Sequence, residues 1–369
     1  MKLYKKHISD LGKVITGKTP RTSILENYGG KIPFLTPSDN LSEKFSPTTS
    51  KTLTKIGLNE VKNCLLPSKS ICVSCIGSDL GKVVLTKKPT VTNQQFNSIV
   101  PNEENDADFI YYLMTVVGKY LNYLSKTSTA VPIINKSTFA NYEIEIPNIK
   151  EQKRIGKILS SLDDKIELNR RINDNLEQQA QALFNEMFPH ITEGENMIGD
   201  LIMPKRGKGL LSKNAIKGDI PVVAGGIEPA TYHNQANTTA PVLTIAASGA
   251  NAGYINLWHI PVWASDSSYI DDSITPNVYF WYIMLKKRQK EIFDAQVGSA
   301  QPHIYPKHIA ELPMNVVFVE KIAEYNEIVT PIFEKKGQLY LESKRLTSLR
   351  DTLLPKLMSG ELKINDINN

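Results

Sequence analysis

The chain reads as an α+β protein: two tandem α/β modules separated by two long helices that form an antiparallel coiled coil, with a pseudo-twofold relation between its halves. Three observations predict this. Glu151–Met187 contains no Pro, and its apolar residues Ile155, Ile158, Leu159, Leu162, Ile166, Ile172, Leu176, Ala180, Leu183, Phe184 and Met187 alternate at spacings of three and four. At 1.5 Å per residue, about 36 residues span roughly 54 Å, too long for most small domains. Near the C-terminus, Tyr325, Ile332, Leu339, Leu346 and Leu353 repeat every seven residues, which supplies a partner for the first seam. The segments before the two helices resemble one another at a shifting offset, as Lys31-Ile-Pro-Phe-Leu does Asp219-Ile-Pro-Val-Val, and Gly77-Ser-Asp-Leu-Gly81 does Gly249-Ala-Asn-Ala-Gly253.

The first module, 1–147, has strand patterns at Lys31–Leu35, Ser70–Ile76, Lys82–Thr86, Asn97–Pro101, Ala130–Ile134 and Tyr142–Ile146, with a helix at Asp108–Leu124. The central helix occupies 148–188, with Asn148 as cap, Glu151 three residues on, and Pro189 as stop. Asn169 falls on its seam, where a buried Asn fixes register in coiled coils and an exposed one does nothing. The second module, 189–312, repeats the first: strands at Ile220–Ala224, Pro241–Ala247, Tyr254–Leu257 and Val262–Ala264, then a helix at Asn277–Phe293. The C-terminal helical region is 313–369. Pro331 predicts a break there, with a short helix ending near Val329 and the main helix starting at a Thr330 cap.

Apolar residues make up 41% of the 369 and charged residues 22%, enough for buried cores. No apolar run reaches the ~20 residues of a transmembrane helix, the N-terminus lacks a signal-peptide core, and three Cys suit a reducing cytoplasm. The net charge of +5 is uneven: residues 1–147 carry 18 Lys/Arg against 12 Asp/Glu, residues 189–312 carry 10 against 11, and the helical regions are neutral. That excess is compatible with a polyanion partner.

Gly12-Lys-Val-Ile-Thr-Gly-Lys-Thr19 matches the GxxxxGK[ST] phosphate loop. Polar residues precede it and Pro20 comes at once after it, so it reads instead as a basic turn able to meet DNA phosphates. Cys72-Val-Ser-Cys75 has zinc-like spacing, but only Cys64 and no nearby His support it where four ligands are needed, so it reads as buried thiols. The Asp163-Asp164 pair reads as a solvated helix face, whereas Asp266 with Asp271-Asp272 is either structural or set against a base amino group. No catalytic constellation appears, so the chain reads as a recogniser with no catalytic residues, no metal site and no cofactor of its own.

These residues together resemble the specificity subunit of type I restriction–modification systems. Glu151-Gln-Lys-Arg-Ile, Leu162-Asp-Asp-Lys-Ile-Glu-Leu-Asn169 and Leu176-Glu-Gln-Gln-Ala-Gln-Ala-Leu-Phe184 resemble its central helical region. Leu349-Arg-Asp-Thr-Leu-Leu-Pro-Lys-Leu-Met-Ser-Gly-Glu-Leu362 is similar to its C-terminal helix end, and Gly17-Lys-Thr-Pro20 to the opening of its target recognition domains. Gly298-Ser-Ala-Gln-Pro-His-Ile304 is similar to the motif near the end of each recognition domain. The first module departs there, since Thr127-Ser-Thr-Ala-Val-Pro-Ile133 lacks the Gln. The second departs at its opening, where Lys205-Arg-Gly-Lys208 stands in place of Gly-Lys-Thr-Pro.

The resemblance implies a non-catalytic subunit in which modules 1–147 and 189–312 are target recognition domains. Each would read one half of a split site in double-stranded DNA, with the helices acting as a ruler of ~34–36 Å. It also implies two methyltransferase subunits, which bind S-adenosylmethionine and methylate adenine, and restriction subunits that use ATP and Mg. Arg and Lys fork onto guanine, Asn and Gln onto adenine, while phosphate contacts set position. On residue type, predicted turns and matched motifs, the expected DNA contacts are Lys18, Thr19, Arg21, Ser78, Lys82, Gln94, Gln95, Lys126 and Thr127 in the first module. In the second they are Lys205, Arg206, Lys208, Asn251, Tyr254, Ser299, Gln301 and His303. The competing reading is a protein-interaction scaffold, two modules on a coiled-coil spacer without a DNA role. A self-sufficient nuclease or methyltransferase stands against the missing catalytic residues.

Overall fold

The computed structural model describes residues 1–45, 48–125, 133–298 and 301–362. It divides into two compact units: Met1–Glu167 with the C-terminal stretch from Lys344, and Leu168–Ser343. Among the described residues no helix is long and apolar enough to cross a membrane.

The first unit opens with β1 (Tyr4–His7) and β2 (Gly12–Thr16), then β3 (Tyr28–Leu35), β4 (Lys51–Leu53), β5 (Leu65–Leu66), β6 (Ile71–Ser74), β7 (Val83–Leu85), β8 (Thr90–Thr92) and β9 (Phe96–Pro101). Helix α1 (Ala107–Ser125), β10 (Glu143–Ile146) and the long α2 (Ile149–Met187) complete the run. One sheet has the order β2-β9-β6-β7, a second β4-β3-β8-β5, and β10 returns to pair with β1. Alternation along β6 explains why the first sheet is buried on both sides. Ile71 and Val73 enter one core with Phe109, Tyr112 and Met114 of α1, while Cys72 enters another with Ile15, Val84 and Phe96. Asp106 caps α1 by accepting the Phe109 N–H at 2.9 Å, and Asn148 caps α2 at the Glu151 N–H, 3.1 Å away.

The second unit repeats this plan with β11 (Asn196–Met197), β12 (Lys205–Arg206), β13 (Ile220–Val223), β14 (Thr231–His233), β15 (Val242–Ala246), β16 (Ile255–Trp258), β17 (Trp263–Ala264), β18 (Ser267–Ile270) and β19 (Pro313–Met314). Its main sheet runs β12-β18-β15-β16, the counterpart of β2-β9-β6-β7 strand for strand. β14-β13-β17 corresponds to β4-β3-β8, and β11 with β19 to β1 with β10. The helix expected over Asn277–Phe293 is two, α3 (Val278–Lys287) and α4 (Gln289–Asp294). They part at Arg288, whose buried guanidinium forks onto Glu291 and donates to the Pro313 carbonyl. The strand expected at Ala130–Ile134 lies mostly outside the described residues; Ile133 bridges to Ile76.

The break expected at Pro331 is absent. α5 runs unbroken from Val319 to Ser359. Proline inside a helix costs about 3 kcal/mol, but Tyr325, Val329 and Phe333 on either side are fully buried, each contributing roughly 1.5–3 kcal/mol. Thr330 Oγ1 meanwhile donates to the Asn326 carbonyl at 2.7 Å, so the hydroxyl serves the helix interior and does not cap a start.

In each unit α2 and α5 meet in antiparallel sense. In the first, Ile155 and Leu159 share a core with Leu354 and Leu357, and Arg350 Nη1 reaches Asp163 Oδ1 at 2.7 Å. Tyr112 of α1 donates to the other Asp163 oxygen at 2.5 Å, so Asp163 is a nearly buried anchor; only its neighbour Asp164 lies on an exposed face. In the second unit Tyr282 of α3 donates to Glu177 at 2.8 Å, and Lys336 binds the same carboxylate. Burial alone would raise the Glu177 carboxyl, yet Lys336 and Tyr282 hold it below its usual value. Phe184, Phe188, Phe280 and Tyr325 pack against one another, tilted or edge-on, with centroids 5.2–6.1 Å apart. Asn169 is fully buried, its amide donating to Glu342 at 2.8 Å.

Candidate nucleic-acid interface

The antiparallel order β2-β9-β6-β7 places the C-terminal end of β2, the start of β9, the end of β6 and the start of β7 along one edge of the sheet. The residues just outside these ends are therefore neighbours, although up to 78 positions separate them in sequence: Gly17–Thr19, Asn93–Gln95 and Gly77–Lys82. Backbone bonds fix the loops. The Lys18 N–H donates to Thr92 O at 2.9 Å, Cys75 N–H to Gln95 O at 2.7 Å, and Ile134 N–H to Cys75 O at 2.9 Å.

The same bonds recur at the matching edge of the second unit. Lys208 N–H donates to Ala264 O at 2.9 Å, Ala247 N–H to Asp266 O at 3.1 Å, and Ile304 N–H to Ala247 O at 3.0 Å. Gly207-Lys208 therefore occupies the place of Gly17-Lys18. The departure expected at Lys205–Lys208 is thus confined to Gly209-Leu210, which stand where the first unit has Thr19-Pro20. Both glycines are required by close approach. A Cβ on Gly17 would stand 2.1 Å from Asn93 O, and one on Gly207 2.5 Å from Ala264 O. Gly77 and Gly81 (φ 89° and 87°) match Gly249 and Gly253 (φ 82° and 85°), so the turn between β6 and β7 is repeated between β15 and β16.

Within this frame the expected contacts divide. Lys18, Ser78, Lys82 and Gln94 are exposed at the first edge, and Thr19 Oγ1 donates to Gln94 Oε1 at 2.7 Å, leaving the Gln94 amide N–H groups outward. Gln95 is half-buried and accepts from Asn93 Nδ2 at 2.8 Å. Arg21 is committed elsewhere: its Nε and Nη2 reach Glu60 at 2.9 and 2.7 Å, and these bonds hold the Glu60 carboxyl down to about 2. Lys126, Thr127 and Ser299 lie outside the described residues.

At the second edge Lys208, Arg206, Asn251, Gln301 and His303 come together. His303 is fixed by paired backbone bonds to Val297 and stacks on Tyr305 with centroids 5.9 Å apart. Lys205 is drawn away, its amine bonding Ser273 beyond the opposite end of β18 at 3.0 Å. Tyr254 lies under the Lys286 amine and lines a cavity of about 320 Å³ with Glu177, His259 and Lys336.

Asp266, for which the sequence leaves open a structural role or a place against a base amino group, stands at this edge beside the expected set. Asp266 occupies the position of Gln95, accepting from Arg206 Nη2 at 2.6 Å and from Ser248. The repeat hides this, because Gln94-Gln95 is answered by Asp266 alone between the matched positions Asn93/Ser265 and Phe96/Ser267. Asp271, by contrast, is structural: it is buried and accepts from Thr239 and Ser273.

Two other sequence signals resolve to structure. Gly12–Thr16 of the phosphate-loop match is strand β2, and no helix opens after Thr19. Burial pushes the Cys72 thiol up to about 12 and Cys75 to about 11, and the two side chains enter different cores. No group of three or more His, Cys, Asp or Glu able to hold a metal occurs among the described residues.

Residues 2–178 match the family described as "Type I restriction modification DNA specificity domain". The chain is 26% identical to the type I restriction enzyme MjaIX specificity subunit of Methanocaldococcus jannaschii over 98% of its own length and 94% of that protein's. It is 38% identical to the HindI specificity subunit of Haemophilus influenzae over 46% of its length and 38% of the other's. Among solved structures, the type I restriction–modification S subunit of M. genitalium superposes with a TM-score of 0.62 at 22% identity, covering 97% of this chain and 96% of that one, which supports the same fold.

Proposed function

We propose that the chain, whose residues 2–178 match the type I restriction modification DNA specificity domain and which is similar over nearly its whole length to a type I specificity subunit, is the non-catalytic, DNA-reading subunit of such a complex. Each recognition domain reads one half of a bipartite target in double-stranded DNA. The helices α2 and α5 dock two methyltransferase subunits, which carry S-adenosylmethionine and methylate adenine. Restriction subunits, with ATP and Mg, add translocation and cleavage.

The observation that carries this reading is the repeated sheet edge. Two units with the same strand order present a Gly-Lys turn, a polar residue at the Gln95/Asp266 position and a fixed glycine turn at corresponding ends. A duplicated reader suits a target with two halves. Lys18 and Lys208 are positioned for phosphates, which fix register without reading sequence. Gln301 offers the paired donor and acceptor that adenine N6 and N7 require, and Gln94, its oxygen bonded by Thr19, offers its amide N–H donors.

The test is single-molecule sequencing of DNA from cells expressing the chain with its methyltransferase partner. Methyladenine at one motif, split by a constant gap, is the expected result. Exchange of residues 1–147 for a relative's domain changes one half only. Methylation at an undivided motif, or change at both halves, overturns the two-reader account.

A further inference from the structure

Resting on that DNA-reading proposal, the geometry points to a base assignment: Arg206 and Asp266 together read one G·C pair in the half-site served by the second unit. Arg206 closes β12 and Asp266 immediately precedes β18, so they stand side by side at the candidate edge, half-exposed and 2.6 Å apart. Ser248 binds the second Asp266 oxygen, which fixes the carboxylate plane.

A carboxylate at this edge is informative because it repels phosphate. Arg206 and Ser248 already bind it, and its remaining lone pairs meet DNA more favourably at a base that offers a donor than against the backbone. In the major groove the donors are the amino groups of cytosine and adenine. The adjacent guanidinium decides between them. Its fork fits guanine O6 and N7, two acceptors side by side, and only a G·C pair sets those two acceptors next to the cytosine amino donor. A T·A pair puts a methyl group where the fork needs an acceptor. The ion pair holds both side chains in place before DNA arrives, so less rotamer freedom is lost on binding.

The first unit has Thr16 and Gln95 at the equivalent positions, neither of them charged. The two halves of the target therefore differ in chemistry. The charge distribution agrees, since residues 189–312 carry 10 Lys/Arg against 11 Asp/Glu and gain little from phosphates alone.

The experiment is methylome sequencing of cells carrying the full chain with its methyltransferase subunit, comparing wild type with Arg206→Lys and Asp266→Asn. Both substitutions keep the side-chain volume close, and thermal melts with assembly assays check that each variant folds and joins the complex. The expected result is loss of discrimination at one G·C position, by about tenfold or more, in one half of the motif with the other half unchanged. An even fall in methylation with an unaltered motif makes Arg206 a phosphate contact and overturns this inference while leaving the proposed function intact. An unchanged motif at unchanged level also overturns it. Absence of any bipartite motif in the wild type defeats the underlying reading as well.

Discussion

Removal of the Asp163 carboxylate is the sharpest test of how the first unit is tied to its helices. Asp163 is one-tenth exposed and accepts from Arg350 of α5 at 2.7 Å and from Tyr112 of α1 at 2.5 Å, so three helices converge on one carboxylate. Asp163→Ala removes a charge-assisted bond worth about 1.5–3 kcal/mol and strands the almost fully buried Tyr112 hydroxyl at a further ~1–3 kcal/mol. Arg350 keeps Asp351 as a partner at 2.8 Å, which limits the loss. The net expectation is about 3–5 kcal/mol, the usual cost of breaking a buried pair from one side. For a unit of this size that lowers the melting temperature by about 10 °C. Asp163→Asn keeps an acceptor for Tyr112 and loses only the charge, so it should cost roughly half as much. Thermal unfolding monitored by circular dichroism reads both. An Asp163→Ala variant within ~1 kcal/mol of wild type, or an Asn variant no better than Ala, refutes the reasoning.

Local geometry sets three other outcomes. Glu60 is held at about 2 by Arg21, against a usual 4.5, so its contribution is complete above pH 4.5 and lost as pH falls towards 2; in Arg21→Ala an NMR titration should show its midpoint raised from there towards 4.5, short of it because the backbone N–H at position 21 still donates to the carboxylate. Burial, with Lys336 beside it, pulls His259 from 6.5 down to about 4. The unfolded chain therefore binds a proton first, and acidification from pH 6.5 to 4 destabilises the wild type more than His259→Asn in paired urea titrations. Gly17→Ala should destabilise by about 1–3 kcal/mol, because its Cβ would strike Asn93 O and Thr92, whereas Gly209→Ala, with nothing within 4 Å, should stay within ~0.5 kcal/mol of wild type on the same melt.

Much of the architecture was legible in advance because it depends on local periodicity. The apolar seam over Glu151–Met187 emerged as α2, and Asn148 caps it as its side chain predicts. The internal repeat was visible in Lys31–Leu35, Gly77–Gly81 and their counterparts, and the strand orders match accordingly. Periodicity failed where packing overrides propensity. Pro331 reads as a break, yet Tyr325, Val329 and Phe333 carry the helix through it. Asp163 reads as solvated because nothing near it in sequence announces Arg350, 187 positions away.

The division is one of range. Residue types and their spacing sufficed for the two modules, the long helices, the buried thiols and the kinship with specificity subunits. Which polar side chains reach the sheet edge depends on contacts between residues tens of positions apart. Arg21 and Lys205 are residues of the right type, but Glu60 and Ser273 draw them aside. For Asp266 the sequence left two roles open, and a one-residue difference between the repeats obscured its match to Gln95, which the backbone bond from Ala247 establishes. A strand's hydrogen bonds set register to the single residue, and one residue is the difference between a side chain at the edge and one on the other face.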